Sequence, residues 1–237
     1  MTEWKARRFW TDVTVEPVGD AFAVALDGRQ VRTPGKTLLT LPTEAMAQAM
    51  AEEWRAQQDV IDPGTMPVTR TANSAIDKVA TQHAEVADLL AAYGDSDLLC
   101  YRADAPDDLV TRQAAGWDPM LDWAAEALGA RLETRTGVMH APQDPAALAA
   151  LSRRVHALGP FELAAFHDLV SLSGSLVLGF AAATEQATPD EIWALSRIDE
   201  EFQADRWGHD AEAEAAAEAR RMAMRTAERL WQLSRPD

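Results

Sequence analysis

The chain's 237 residues are 47% hydrophobic and 25% charged, enough apolar material for one large domain or two small ones. Asp and Glu outnumber Lys and Arg 38 to 22, and a net charge of -16 argues against a nucleic-acid or anionic-membrane surface, where phosphate contacts need clustered cations. The single cysteine, Cys100, excludes an internal disulfide, and metal sites need more ligands at set spacing, so no metal site is expected.

Residues 1–8 lack the apolar core of a signal peptide, and the lead-in to the folded region is too short for a transit peptide. The longest uncharged apolar run, Leu169 to Ala183, falls short of the roughly 18 residues that a membrane span needs. A soluble protein of a reducing compartment is expected, with no membrane insertion. Cys100, inside Leu98-Leu99-Cys100-Tyr101, reads as a buried and inert thiol.

Residues 8–42 carry short β-rich runs. They are Phe9 to Val15, Phe22 to Leu26, Gln30 to Thr33 and Thr37 to Leu41, separated by turn signals. Asp27-Gly28 predicts a type I′ hairpin, because both turn residues need positive φ, and Pro34-Gly35-Lys36 marks the next turn. An antiparallel meander of so few strands needs a helix to lean on. The pattern from Pro42-Thr43 through Met46, Ala49, Met50 and Trp54 to Gln58 supplies one, ended by Ile61-Asp62-Pro63-Gly64. Beyond that point the period stays at 3.6. The expected fold is α+β: a small antiparallel β-meander with one packed helix over residues 1–62, then an all-α bundle over 63–237.

Within the bundle, Pro67 to Tyr93 carries one or two helices, and Pro106-Asp107-Asp108 starts another that ends near Gly116. Asp118-Pro119 reads as a fresh N-cap and first position, placing a break across Trp117 to Trp123. Residues 131–141 read as irregular or a stray strand. Asp144-Pro145 opens a helix stopped by Gly159-Pro160. Phe161 to Ala183 reads as the central apolar helix, its Ser171, Gly174, Ser175 and Gly179 letting neighbours approach closely. Asp210 to about Leu233 closes the chain with an acid-to-basic gradient that matches the helix dipole.

The stretch from Thr188 to Gly208 is predicted as one helix: Thr188 as N-cap, Pro189 at the first position, Asp190 and Glu191 at the positive dipole end, Gly208 as stop. At about 100° per residue, Leu195, Ile198 and Phe202 share an apolar stripe. On the opposite side Glu200 falls between Trp193 and Trp207, seven residues away in each direction, with Glu201, Gln203 and Ala204 nearby. Spacing alone favours burial of both faces in a bundle, with Glu200 on an internal arginine, because aromatics at helical spacing are usually core. The competing explanation is a partner-binding ridge of Trp193, Glu200 and Trp207, since aromatics and desolvated charges concentrate at binding hot spots.

No phosphate-cradling loop, dinucleotide fingerprint, zinc-protease motif or nucleophile elbow occurs. Ser173-Gly174-Ser175 is better explained by small-residue packing. The five histidines are scattered, and His167-Asp168 point in different directions on a helix. The acid pairs Glu52/Glu53, Asp107/Asp108 and Asp199/Glu200/Glu201 suit solvated faces. A hydrolase using Glu200 with His167 or His209 would need a deep polar pocket holding both. A generic acidic adaptor is the remaining alternative.

Several stretches in order carry a resemblance. They are Glu53-Trp54-Arg55-Ala56-Gln57-Gln58-Asp59, Thr69-Arg70-Thr71-Ala72-Asn73, Asp97-Leu98-Leu99-Cys100-Tyr101-Arg102, Trp117-Asp118-Pro119, and Ser196 to Phe202 with Trp207-Gly208. Together they resemble the assembly chaperones for the alpha subunit of the F-type ATP synthase catalytic head, from about Arg7 to Leu233. The resemblance implies a non-enzymatic protein without cofactor or small-molecule substrate. Such a protein would bind the unassembled alpha subunit and keep it from aggregating until the beta subunit takes over. The family's functional glutamate matches Glu200, and its functional tryptophan matches Trp54, for which packing of the first helix on the meander is the expected role. The chain is read as lacking the mitochondrial presequence of eukaryotic members, which implies a bacterial protein of the cytoplasm. With the resemblance counted, the partner-binding explanation of Glu200 overtakes the bundle one.

Overall fold

In the computed structural model, which describes residues 6–236, Asp27 and Gly28 take φ of 48° and 76°, the geometry their sequence demanded. This turn joins β2 (Ala21–Leu26) to β3 (Arg29–Gln30), and β1 (Val13–Val18) pairs along the whole other edge of β2. β1 starts later than the expected Phe9 because the Asp27 carboxylate takes the Thr11 and Asp12 amides, at 3.1 and 2.8 Å, away from any ladder. β4 (Thr40–Leu41) pairs with β2 at Phe22 and Ala23, so the antiparallel sheet departs from a simple meander: β3 and β4 share one edge of β2. In the turn between them Lys36 takes the left-handed φ of 67°. Gly35 answers a different need. A Cβ there would stand 2.8 Å from Oδ1 of Asp77, whose carboxylate binds the Gly35 amide and the Thr33 hydroxyl.

Helix α1 (Glu44–Ala56) starts on a Thr43 cap and buries Met46, Ala49 and Met50, as their 3.6-period spacing predicted, together with Ala47 and Ala51, while Trp54 of the same series is half-buried. Trp54 lies edge-on to the buried Trp10 at 5.1 Å between ring centres. Gln57, also buried, holds the following turn by accepting from the Asp62 amide and donating to the Thr65 hydroxyl and the Glu53 carbonyl. Helix α2 (Pro67–Ser74) has no cap of its own in sequence; Glu53 of α1 caps it instead, accepting from the amides of Val68 and Thr69 at 2.6 and 2.8 Å. Burial pushes the Glu53 carboxyl above its usual range, against the pull of those bonds.

That cap ties α2 to α1 within the first compact unit. The first compact unit continues past the expected boundary near residue 62 to His83, and regains Gly159–Ala165 and the segment from Arg229. The second unit takes Ala84–Leu158 and Phe166–Glu228. Its elements, three of them (α3, α6 and α10) shared with the first, are α3 (His83–Ala91), α4 (Asp107–Trp123), α5 (Pro145–His156), α6 (Pro160–Ser173), α7 (Leu176–Ala183), α8 (Pro189–Ser196), α9 (Ile198–Trp207) and α10 (Ala211–Leu233). Two-residue strands β5 (Tyr101–Arg102) and β6 (Arg135–Thr136) pair in parallel. The α+β class holds, with a small N-terminal antiparallel sheet ahead of a mostly helical remainder. Among the described residues no helix is long and apolar enough to cross a membrane.

Two expected helix limits in this unit are corrected. α4 runs on through Pro119 where a break was expected. Trp117 is fully buried and Leu121 nearly so, while Asp118, the expected cap, is bound instead by Arg102 at 2.8 Å. Packing of the turn outweighs the hydrogen bond that a proline forfeits. Conversely, the expected central helix over 161–183 is two helices. Gly174 turns left-handed at φ 69°, and Ser175 caps α7. Asp97, wholly buried, accepts from the amides of Leu99 and Val177. Its carboxyl is raised by burial even so. All eight residues of α7 are buried, and Gly179 permits this: a Cβ would meet Cγ2 of Val170 at 2.6 Å.

Cys100 sits beside Asp97 at 2% exposure, and burial with the neighbouring carboxylate pushes its thiol up to about 12. The native protein at pH 8 should therefore react with iodoacetamide at least about 100-fold more slowly than the urea-unfolded chain. A native rate near the unfolded one would contradict this burial.

Candidate functional site

The helix expected over 188–208 opens as its sequence requires. Thr188 accepts from the Glu191 amide, and the Glu191 carboxylate accepts from the Thr188 amide and hydroxyl, a complete capping box. It also ends as expected, at Gly208 with φ of 100°. Between these ends lies a break that sequence reading missed. Arg197 takes φ -115° and ψ 10°, separating α8 from α9. Two side chains make the break. The Ser196 hydroxyl donates to the Trp193 carbonyl at 2.8 Å, and the Trp117 indole of α4 donates to the Leu195 carbonyl at 2.8 Å. The Arg197 amide bonds the Ala194 carbonyl instead of that of Trp193, and the indole bond ties the end of α8 to α4 at this point.

The break resets the phase of the wheel. Trp193, on α8, is buried at 8% exposure, with the Arg197 guanidinium over its ring at 5.5 Å. The expected ridge of Trp193, Glu200 and Trp207 is therefore not one surface; the first tryptophan lies beneath Arg197. Glu200, Gln203 and Trp207 all belong to α9, where their common face survives. Trp207 is 76% exposed, and Glu200, Glu201 and Gln203 are exposed beside it.

The inner face of α9 packs against α4. Phe202 is buried with the guanidinium groups of Arg112 and Arg206 near its ring, and Asp199 accepts from the Gln113 amide group at 2.7 Å. Gly116 of α4 permits close approach: a Cβ would stand 2.7 Å from Cδ1 of Ile198. Arg112 pairs with Asp205 at 2.9 Å. On the outer face, Arg197 brings Nη1 within 3.3 Å of Glu200 and Nε within 3.9 Å of Glu201. A groove of about 410 Å³ lies alongside, lined by Trp193, Arg197, Glu201, Glu214 and Glu218 among others. One wall is fixed by Asp190, which binds Arg225 and Arg221 at 2.8 and 3.0 Å and is held by them at about 2.

Catalytic chemistry at Glu200 does not assemble. His167 pairs with its neighbour Asp168 at 3.1 Å, and His209 with Glu214 at 2.9 Å. Neither histidine lines the groove beside Glu201. The hydrogen bond to the Asp168 carboxylate raises the His167 pKa against the opposing effect of burial, so the group responsible is its own sequence neighbour. Among the described residues no group of three or more His, Cys, Asp or Glu side chains could hold a metal.

The motifs that carried the resemblance now separate by task. Glu53 caps α2, Trp54 packs on Trp10, and Gln57 holds the turn after α1. Asp97 serves the α7 amides, and Arg102 joins Asp118 while lying 5.3 Å from the Trp117 ring centre. Trp117 and Ser196 shape the kink before α9. On α9, Glu200 and Glu201 face solvent and, among the described residues, pair with Arg197, while Trp207 is exposed farther along the same helix. Arg197 itself was not singled out from sequence, although its three- and four-residue spacing to these two acids carries the signal.

A family model described as ATP12 chaperone protein matches residues 7–125. A relative from Schizosaccharomyces pombe, "Protein atp12, mitochondrial", is 24% identical over 215 residues, covering 85% of this chain and 74% of its own. Among solved structures, Atp12 from Paracoccus denitrificans is 57% identical, covers 98% of this chain and 100% of its own, and superposes with a TM-score of 0.94. A protein from Agrobacterium tumefaciens is 42% identical over 96% of this chain and 85% of its own, with a TM-score of 0.90. The chain thus belongs to the ATP12 chaperone family, the ATP synthase assembly chaperones that its ordered motifs resemble.

Proposed function

We propose that the protein binds the unassembled alpha subunit of the F-type ATP synthase head, prevents its aggregation, and releases it to the beta subunit. It does so without catalysis, in the cytoplasm of a bacterium. The observation that supports this reading is the outer face of α9. Trp207 is 76% exposed there beside two half-exposed carboxylates, an arrangement that contributes little to folding. Ring subunits expose large apolar faces before assembly, and such patches drive aggregation. A holdase must cover the patch yet yield to the true neighbour, so moderate affinity suits it. Trp207 supplies apolar contact, while Glu200, Glu201 and Gln203 supply polar contact to a basic and apolar interface. Trp193 acts from beneath, through Arg197. The net charge of -16 speeds encounter with a basic surface and keeps the complex soluble.

The test is co-expression of the tagged chain with alpha subunit, with and without beta. Alpha should co-purify alone and be depleted at least about tenfold when beta is present, as expected for competition at one interface. A photo-crosslinker at position 207 should join the chain to alpha. Failure of alpha to co-purify without beta, or retention of alpha in the presence of excess beta, overturns the reading.

A further inference from the structure

Arg197 stands in an unusual position for a surface ion-pair partner. Its side chain is only 20% exposed, whereas those of Glu200 and Glu201 are 51% and 57% exposed. Held from below by the Trp193 ring, its guanidinium reaches up to both acids but satisfies neither well. The contact to Glu200 is 3.3 Å, that to Glu201 is 3.9 Å, and the buried Nε makes no hydrogen bond. A guanidinium that engages carboxylates strongly does so with two short, parallel bonds at about 2.7–2.9 Å. The carboxylates therefore keep accepting capacity on their solvent side, where a second cation can approach.

The geometry points to Arg197 as an internal stand-in for a cation of the client, competing for Glu200 and Glu201 and so keeping the affinity of the α9 face low. This rests on the reading that the α9 face receives the client. The client element would then present an arginine or lysine next to an apolar residue that meets Trp207. On docking, its cation takes the outward oxygens of Glu200 and Glu201 while Arg197 stays on Trp193. On release, Arg197 resumes its loose contacts. An intramolecular competitor of this kind shortens the lifetime of the complex without a large structural change, which is what transfer to another subunit requires.

The experiment compares the full chain with Arg197→Met, Glu200→Gln and the double variant, measuring alpha-subunit capture and dissociation rate by surface immobilisation. Methionine preserves an unbranched stem over Trp193 and removes the charge. Arg197→Met should bind alpha about two- to fivefold more tightly, chiefly through slower dissociation, because weak surface pairs exchange energies of that order. The gain should shrink to less than about half in the Glu200→Gln background, where only the longer contact to Glu201 is left, a non-additivity that locates the effect at these acids. Weaker or unchanged capture by Arg197→Met, with Glu200→Gln impaired, overturns the stand-in role alone. If Glu200→Gln captures alpha normally, the client-binding reading of the face fails first. Equal melting of all four proteins excludes a folding origin, and Arg197→Lys provides a charge-retaining control that should not tighten binding.

Discussion

Trp117→Ala should destabilise the unit that contains it by about 3–5 kcal/mol, the range for truncating a large, fully buried aromatic. Trp117 heads the largest side chains with essentially no exposure, so truncation leaves a cavity in the interior. It also leaves the Leu195 carbonyl without its indole donor at 2.8 Å, and removes the ring beside the Arg102 guanidinium. Trp117→Phe separates these effects. Phenylalanine keeps most of the volume and loses only the donor, so its cost should be about 1–2 kcal/mol, near that of one hydrogen bond to a partly buried carbonyl. Urea titration followed by far-UV circular dichroism measures both. A loss below about 1 kcal/mol for the alanine variant would mean that α4 repacks easily, against the close packing typical of cores. Alpha-subunit capture should fall for Trp117→Ala along with stability, because the indole helps set the kink that aims α9.

The contrast between what sequence foretold and what it hid follows the range of the interactions concerned. Asp27-Gly28, the Thr188 N-cap, Asp144-Pro145 and the Gly208 stop are local chemistry, read from short stretches of sequence, and the structure has each of them. The missed features are made by distant residues. Arg197 leaves the helix because Trp117, far upstream, takes a carbonyl next to a serine that takes another. α2 belongs with α1 because Glu53 reaches across fifteen residues to its first amides. Pro119 sits inside α4 because its neighbours are buried and its expected cap is engaged by Arg102. The same logic sorts the candidate site. Glu200, Gln203 and Trp207 keep their predicted common face because no break separates them, whereas Trp193 lies across the kink and loses it. A helical wheel is valid only as far as the helix is continuous.

Glu200→Lys should abolish protection of the alpha subunit from aggregation while leaving the fold intact, the second large effect and the opposite of the first in kind. The side chain is half exposed, and its ion-pair partner Arg197 stands at 3.3 Å three residues away. Such surface pairs contribute about 0–1 kcal/mol, so reversal, even with a lysine next to Arg197, should change stability by no more than about that. In a complex the position is different. A carboxylate that meets a cation across an interface is desolvated there, and truncating one partner of such a pair costs about 2–5 kcal/mol. Reversal adds like-charge repulsion to that loss, so affinity should fall by at least about 30-fold, from a holdase to a bystander at working concentrations. Light scattering of alpha subunit diluted from denaturant, with equimolar chaperone, reads the function; thermal melting of the same sample reads the fold. Trp117→Ala should fail both assays and Glu200→Lys only the first. A reversed variant that melts normally and still protects alpha would remove the α9 face from the client interface. One that unfolds would mean that Glu200 supports the bundle, which its exposed position on α9 argues against.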